Sequence, residues 1–333
     1  MTADLLSTTP ADATGPAGER LELGVFRHLR GDLDGAAACY REVLDREPEN
    51  VTALNNLGFV EAQHGRFDAA IGFYDQAVAL APDRPTAHLN LANARAAQGD
   101  LDRAVVEVMR AAELDPSDAM AHKTLGRLLL LRGDPVGSEA AWRTAITLGS
   151  PDPAAITALA TAVAGQQRFA EAAGLLRQAL QLDEDFASAW AQLGSVLLLR
   201  GDLASAVVSF RQAIRREPAD PGVRRQLAAA LLAGGHPQAA AAELAQVVLL
   251  DPDNHQARID LGVVRLGCGY PREALAHLEQ ALAAEPSDPR ADLHRAVALR
   301  ELGDREQAEQ ILRLIADGPD PEYARRAQEL LRP

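Results

Sequence analysis

Apolar residues return along this chain in two alternating helical stripes, and the stretch Val51–Arg84 shows both. Ala53, Leu54, Leu57 and Gly58 recur at intervals of three and four, which places one apolar face on a first helix. Gly65 then relaxes the backbone for a tight turn. Phe67, Ala70, Tyr74, Ala77 and Val78 supply the stripe of a second helix. Pro82 stops that helix, because proline lacks a backbone donor and clashes with the preceding turn. The pattern returns every 34 residues: Gly24, Gly58, Gly126, Gly194 and Gly262 share one phase, and Ala36, Ala70, Ala104, Ala206, Ala240, Ala274 and Ala308 a second. Pro48, Pro82, Pro116, Pro218, Pro252 and Pro286 share a third. Together they define nine units from Ala17 to Glu322 with no insertion or deletion. Helices of about 12–14 residues are marginal when isolated, so stability must come from burying the stripes between units.

Several helix ends are equally readable. Asp152–Pro153, Asp220–Pro221 and Asp288–Pro289 pair an Asp cap with Pro at the first helical position. Pro135, Pro237 and Pro271 sit at the start of second helices. The unit Pro153–Phe186 is the most degenerate, with Ala160 for the early glycine, Gln167 at the turn and Glu184 where proline usually falls. Its predecessor carries Ser138 in the small-residue slot. The stretch Gly137–Phe186 is therefore the expected place for altered curvature or local opening. Beyond the ninth unit, Tyr323, Ala327, Leu330 and Leu331 give one more helix an apolar face, and Arg295 takes a phase held by Leu in the eight preceding units.

The period and pattern resemble those of tetratricopeptide repeats. That resemblance implies an all-α fold, an alpha-alpha superhelix or TPR solenoid of nine helix-turn-helix repeats forming one domain over residues 17–320. It also implies a disordered leader at 1–16 and a C-terminal capping helix at 321–333. In such arrays the first helices line an inner groove that binds peptides or protein surfaces, and the residue before the recurring Leu points into it. Here that series is Glu22, Asn56, Asn90, Thr124, Ala158, Gln192, Gln226, Asp260 and His294. The runs Leu54-Asn55-Asn56-Leu57-Gly58 and Leu89-Asn90-Leu91-Ala92-Asn93 resemble the asparagine ladder of the repeat domain of O-linked N-acetylglucosamine transferases. Side-chain amides both donate and accept, so they can clamp a peptide backbone. No glycosyltransferase domain follows, and Thr124 and Ala158 interrupt the ladder. Asn93, Lys123 and Arg127 are similar in chemistry to the carboxylate clamp of chaperone-tail receptors, although Leu21 and Val25 stand where such receptors carry Lys and Asn. The expected partner-binding residues are therefore Asn56, Asn90, Asn93, Lys123, Arg127, Gln192, Gln226 and Asp260. Farther along, Leu130, Leu131, Leu198, Leu199, Leu232 and Leu266 make the first helices more apolar, with Val263 and Val297 in groove-facing phase.

Composition changes the picture mainly by exclusion. A net charge of -14 opposes non-specific attraction to nucleic acid or anionic membranes. The Arg215–Arg216 and Arg224–Arg225 doublets lack the aromatic series of a single-strand reader. Met1–Gly15 has no basic residue and no sustained apolar run, so it does not read as a signal peptide. Cytoplasmic localisation is the expectation, and the Ala/Arg/Gly-rich composition suits a high-GC bacterium. Cys39 and Cys268 lie nearly seven units apart and read as ordinary thiols. His88 and His122 share a phase with Leu54 and Trp190, which marks them as core histidines rather than metal ligands. No phosphate loop, nucleophile elbow or zinc-protease signature is present. The expectation is a noncatalytic scaffold or adaptor without cofactor, binding an extended peptide or protein. Structural homo-oligomerisation is the alternative.

Overall fold

Close approach between helices is set by pairs of residues that recur with the repeat. Gly58 faces Tyr74, and a Cβ at this glycine would lie 2.8 Å from the ring. Gly24 meets Tyr40, Gly126 meets Trp142 and Gly194 meets Phe210 at 2.6–2.7 Å in the same sense. Opposite Val108, Leu244 and Leu312 the same slot holds Ala92, Ala228 and Ala296, although Gly262 keeps the glycine against Leu278. An aromatic ring is thus accommodated by removing a methyl group from the opposite helix. The density of a protein interior leaves little other room.

The computed structural model describes residues 15–332. Among them every regular element is an α-helix. The expected leader lies outside the described residues except for Gly15 and Pro16, and Pro16 already opens the first helix. The chain divides into two compact units between Gln167 and Arg168. That boundary falls within the degenerate stretch Gly137–Phe186.

The N-terminal unit contains the hairpins α1 (Pro16–Leu29) with α2 (Leu33–Arg46), α3 (Val51–Gln63) with α4 (Phe67–Leu80), α5 (Pro85–Ala97) with α6 (Leu101–Leu114), and α7 (Ala119–Leu131) with α8 (Pro135–Leu148), followed by α9 (Pro153–Gly165). The C-terminal unit opens with α10 (Phe169–Leu182). It continues with α11 (Ala187–Leu199) and α12 (Leu203–Arg216), α13 (Pro221–Ala233) and α14 (Pro237–Leu250), α15 (His255–Gly267) and α16 (Pro271–Ala284), and α17 (Pro289–Leu302) and α18 (Arg305–Ala316). The capping helix α19 (Pro321–Leu331) ends it. Within each unit the second helix of one hairpin packs on the first helix of the next. Ala70 and Tyr74 of α4, for example, share an apolar cluster with Leu91 and Ala94 of α5. At the C-terminal end, Ala327 of α19 is buried against Ile311, Leu312 and Ile315, with Tyr323, Leu330 and Leu331 packed around it.

Caps and turns follow from the sequence. Asp152, Asp220 and Asp288 accept from backbone N–H groups of the helices they precede, and proline occupies the first turn of each. Pro135, Pro237 and Pro271 each begin a second helix. The turn residue within each hairpin takes a positive φ that favours glycine. Gln167 holds that position between α9 and α10 at φ 62°, so the degenerate unit carries local strain there. Ser138, in the slot usually held by Ala, is fully buried and donates its hydroxyl to the Gly126 carbonyl at 2.7 Å.

Candidate functional site

The residue before the recurring Leu is exposed at Glu22, sealed in the next three repeats and accessible again from Ala158 onward. In the N-terminal unit Asn56, Asn90 and Thr124 are buried. Asn90 donates its amide to Asn55 Oδ1 at 3.0 Å, forming one buried rung between α3 and α5. Asn56 is 0% exposed and lies beside the Tyr40 hydroxyl, without a well-aligned hydrogen bond to either amide atom. The expectation that this phase presents Asn56 and Asn90 to an open groove therefore does not describe the structure. The short Asn side chain ends inside the contact with the preceding hairpin. Burial raises the Tyr40 phenol well above its ordinary range, while its contact with Asn56 opposes the shift.

The clamp candidates sit at the edge of this packed wall and are engaged with other protein groups. Arg127 donates to Asn93 Oδ1 at 2.9 Å, linking α7 to α5. Lys123 donates to Asp152 Oδ2 at 2.7 Å, linking α7 to the cap of α9. Burial alone would raise Asp152, but Lys123 and the N–H groups of Ala155 and Ala154 outweigh it, leaving the carboxyl below its usual range. Asn93 and Arg127 remain exposed, whereas Lys123 is partly covered.

In the C-terminal unit the same phase is accessible. Gln192 and Asp260 are partly exposed and Gln226 is exposed. The longer Gln side chain carries its amide past the packed backbones. Gln192 and Gln226 line a cavity of about 370 Å³ between α11 and α13. Gln226 and Asp260 line a second of about 620 Å³ across α13, α15 and the start of α17. The cavities share Gly222 and Gln226 and form one trough along the first helices. Ala228, Ala229, Leu232 and Val263 give it an apolar floor. Gln226 accepts from Ser195 at 3.1 Å, and Arg290 donates to Asp260 at 2.6 Å. Arg225 lines the trough, is exposed and has no ion-pair partner among the described residues. Two of the other three arginines in the basic doublets are committed: Arg224 pairs with Glu243 at 2.8 Å, and Arg216 pairs with Asp185 at 3.1 Å while lying over Trp190.

The late leucines divide. Leu131, Leu199 and Leu232 are exposed, Leu130 and Leu198 are partly buried, and Leu266 is core. His88 is buried, and its ring nitrogens meet Glu107 at 2.8 Å and the Pro82 carbonyl at 3.1 Å. His122 reaches the Pro116 carbonyl at 3.2 Å. Trp190, Arg224 and Arg258 reach the carbonyls of Glu184, Pro218 and Pro252 in the same way. In five repeats, then, a side chain near the start of the first helix satisfies a turn carbonyl six residues earlier. Periodicity places this phase in the core and carries no sign of its hydrogen bond. The common feature is visible only afterwards: each of the five side chains carries an N–H group at its end. Both cysteines are free. Among the described residues no group of three or more His, Cys, Asp or Glu side chains could hold a metal ion. No described helix is long and apolar enough to cross a membrane.

Hairpins of two short helices, stacked second helix on next first helix, define an all-α helical-repeat protein. Sequence profiles of the tetratricopeptide repeat match residues 30–85 and 157–221, residues 61–128, 197–260 and 269–331, and residues 255–280. The chain belongs to the tetratricopeptide repeat family. No curated protein matches it significantly. Among solved structures it is similar to the APC/C hetero-tetramer Cut9–Hcn1, at 18% identity and a TM-score of 0.56, over 80% of this chain and 52% of that one. The chain thus spans about half the length of that relative, and the likeness is one of fold. It also matches the MamA protein at 25% identity and a TM-score of 0.47, over 50% of this chain and 92% of that one. A third match is YrrB, described as a TPR protein with an unusual peptide-binding site, at 20% identity and a TM-score of 0.38, over 66% of this chain and 95% of that one.

Proposed function

We propose that this protein is a noncatalytic interaction scaffold that binds an extended peptide, or an extended segment of a partner protein, in the trough of its C-terminal unit. The observation that carries the reading is the convergence of Gln192, Gln226 and Asp260 on one accessible trough with an apolar floor. Gln192 and Gln226 offer amides that both donate to and accept from a peptide backbone. Arg225 is available for an acidic side chain or a terminal carboxylate. Leu232 and Val263 receive apolar side chains. Asn93, Lys123 and Arg127 form a secondary polar edge in the N-terminal unit. Asn56 and Asn90 contribute by holding the wall behind that edge.

The test is selection of binding decapeptides from a random library, followed by fluorescence anisotropy with the wild type and a Gln192→Ala/Gln226→Ala/Arg225→Ala variant. The reading predicts an affinity loss of at least about tenfold with helicity retained. Failure to select any peptide, or an affinity unchanged by the triple substitution, rejects the trough as the binding site.

A further inference from the structure

One repeat phase exposes an asymmetry between the first hairpin and all the others. Val60, Ala94, Leu128, Ala162, Val196, Ala230, Val264 and Ala298 occupy the phase three residues beyond the recurring Leu, and each is buried, at no more than 8% exposure. Val60, Ala94, Leu128 and Ala298 share apolar clusters with the second helix of the preceding hairpin. The first repeat has Phe26 at this phase, and Phe26 is 55% exposed. Leu29, one turn on, is also 55% exposed. Among the described residues no helix lies where a preceding second helix would cover them. The opposite end of the chain has its cover in α19.

Charge along α1 identifies what this face fits. At about 100° per residue, Glu19, Glu22, Leu29 and Arg30 all point within about 60° of Phe26. Glu19 and Glu22 are exposed and have no ion-pair partner among the described residues. Arg30 likewise makes no ion pair among the described residues and lies over the Phe26 ring at 5.5 Å. Glu22 and Arg30 stand four residues on either side of Phe26, and Leu23 and Leu29 three on either side. A two-fold axis through Phe26 of an antiparallel helix pair would therefore set Glu22 against Arg30 of a second copy, twice. It would also place Leu23 opposite Leu29 and the two Phe26 rings together.

We infer that the exposed face of α1 is a self-association surface, and that two copies of this chain pair through antiparallel α1 helices centred on Phe26. The pairing is isologous, as most homodimers are. A single helix of 14 residues buries less than the about 1,200 Å² typical of a stable complex, so the dimer is concentration-dependent. It uses no residue of the C-terminal trough and stands or falls separately from the peptide-binding reading.

Sedimentation velocity of the full chain across the micromolar range tests it. The expected result is a weight-average mass that rises from 35.4 kDa towards twice that value. Phe26→Glu/Leu29→Glu, at sites already half exposed, should weaken self-association at least about tenfold with helicity unchanged. Glu22→Arg and Arg30→Glu should each weaken it, and the double exchange should restore it, because both contacts then carry reversed but matched charges. A monomer at every concentration overturns the proposal and leaves the face to residues 1–14 or to a different protein. Self-association that survives Phe26→Glu/Leu29→Glu, or a double exchange that fails to recover, also overturns it.

Discussion

Asn56, Asn90 and Thr124 in the N-terminal unit and Gln192, Gln226 and Asp260 in the C-terminal unit occupy the same repeat phase. The first three are sealed between helices, and the second three border open space. All six stand at the same place on first helices of 13 residues, so side-chain length is one difference between them. An Asn amide or Thr hydroxyl ends inside the contact with the neighbouring hairpin, where it must find a protein partner or remain unsatisfied. A Gln amide reaches one methylene farther and emerges. Asp260 is short but is held by Arg290 at the trough edge. A polar residue at this phase is thus a structural group at Asn56 and Asn90 and a surface group at Gln226, as it is at Glu22 of the first repeat.

The largest expected effect comes from breaking what the units share, and it sets the scale for what separates them. Replacing Gly58 or Gly194 by Leu drives a side chain into Tyr74 or Phe210, and each should cost about 3 kcal/mol in denaturant unfolding. Equal losses in both units are expected.

The next effect should appear in one unit only. Asn90→Leu strands the buried Asn55 amide and should cost about 1–3 kcal/mol. Gln226→Leu, on an exposed side chain, should change stability by less than about 0.5 kcal/mol. Asn56→Leu sharpens the contrast further. It removes an amide that already lacks partners, so it should leave stability unchanged or raise it by up to about 1 kcal/mol. Binding should respond in the opposite sense. Asn93→Ala/Arg127→Ala should alter affinity for a selected peptide by less than about threefold, well short of the loss expected from the trough variant.

The smallest effects are pH-dependent, and they too have opposite signs. Glu61 in the N-terminal unit is held below the usual carboxylate range, first by its hydrogen bond from Arg66 and then, against the cost of burial, by the charges of Arg66 and Arg41. A depressed carboxyl contributes stability above its unfolded pKa of about 4 and loses it as pH falls through the lower folded value. Asp292 in the C-terminal unit is raised, chiefly by burial, with Arg295 opposing and Asp288 adding to the shift. The protonated form is the one the fold favours, so its contribution is present at low pH and lost as pH rises through the folded value. Melting curves from acid to neutral pH should show Glu61→Gln flattening the acid-side loss and Asp292→Asn removing the loss on the rising side.

Much of the fold was legible in the sequence, because the repeat fixes it at every unit. The turn glycines, the Asp–Pro helix starts and the small residues at close approaches all lie where the 34-residue register puts them. The candidate site was legible only in phase. Periodicity gives a direction around a helix, but depth depends on side-chain length and on how closely neighbouring helices approach, so Asn56 and Gln226 look alike in sequence and differ in space. The links made by His88, Trp190 and Arg258 to turn carbonyls were hidden for another reason. Their acceptors are backbone groups, which have no identity in a sequence.

Hydrogen exchange of the full chain with and without a selected peptide tests the central claim most directly. The account predicts new protection in α11, α13 and α15, around Gln192, Gln226 and Asp260, with α3 and α5 unchanged because their polar wall is already closed. Protection centred on Asn56 and Asn90, with the C-terminal trough unaffected, would contradict it.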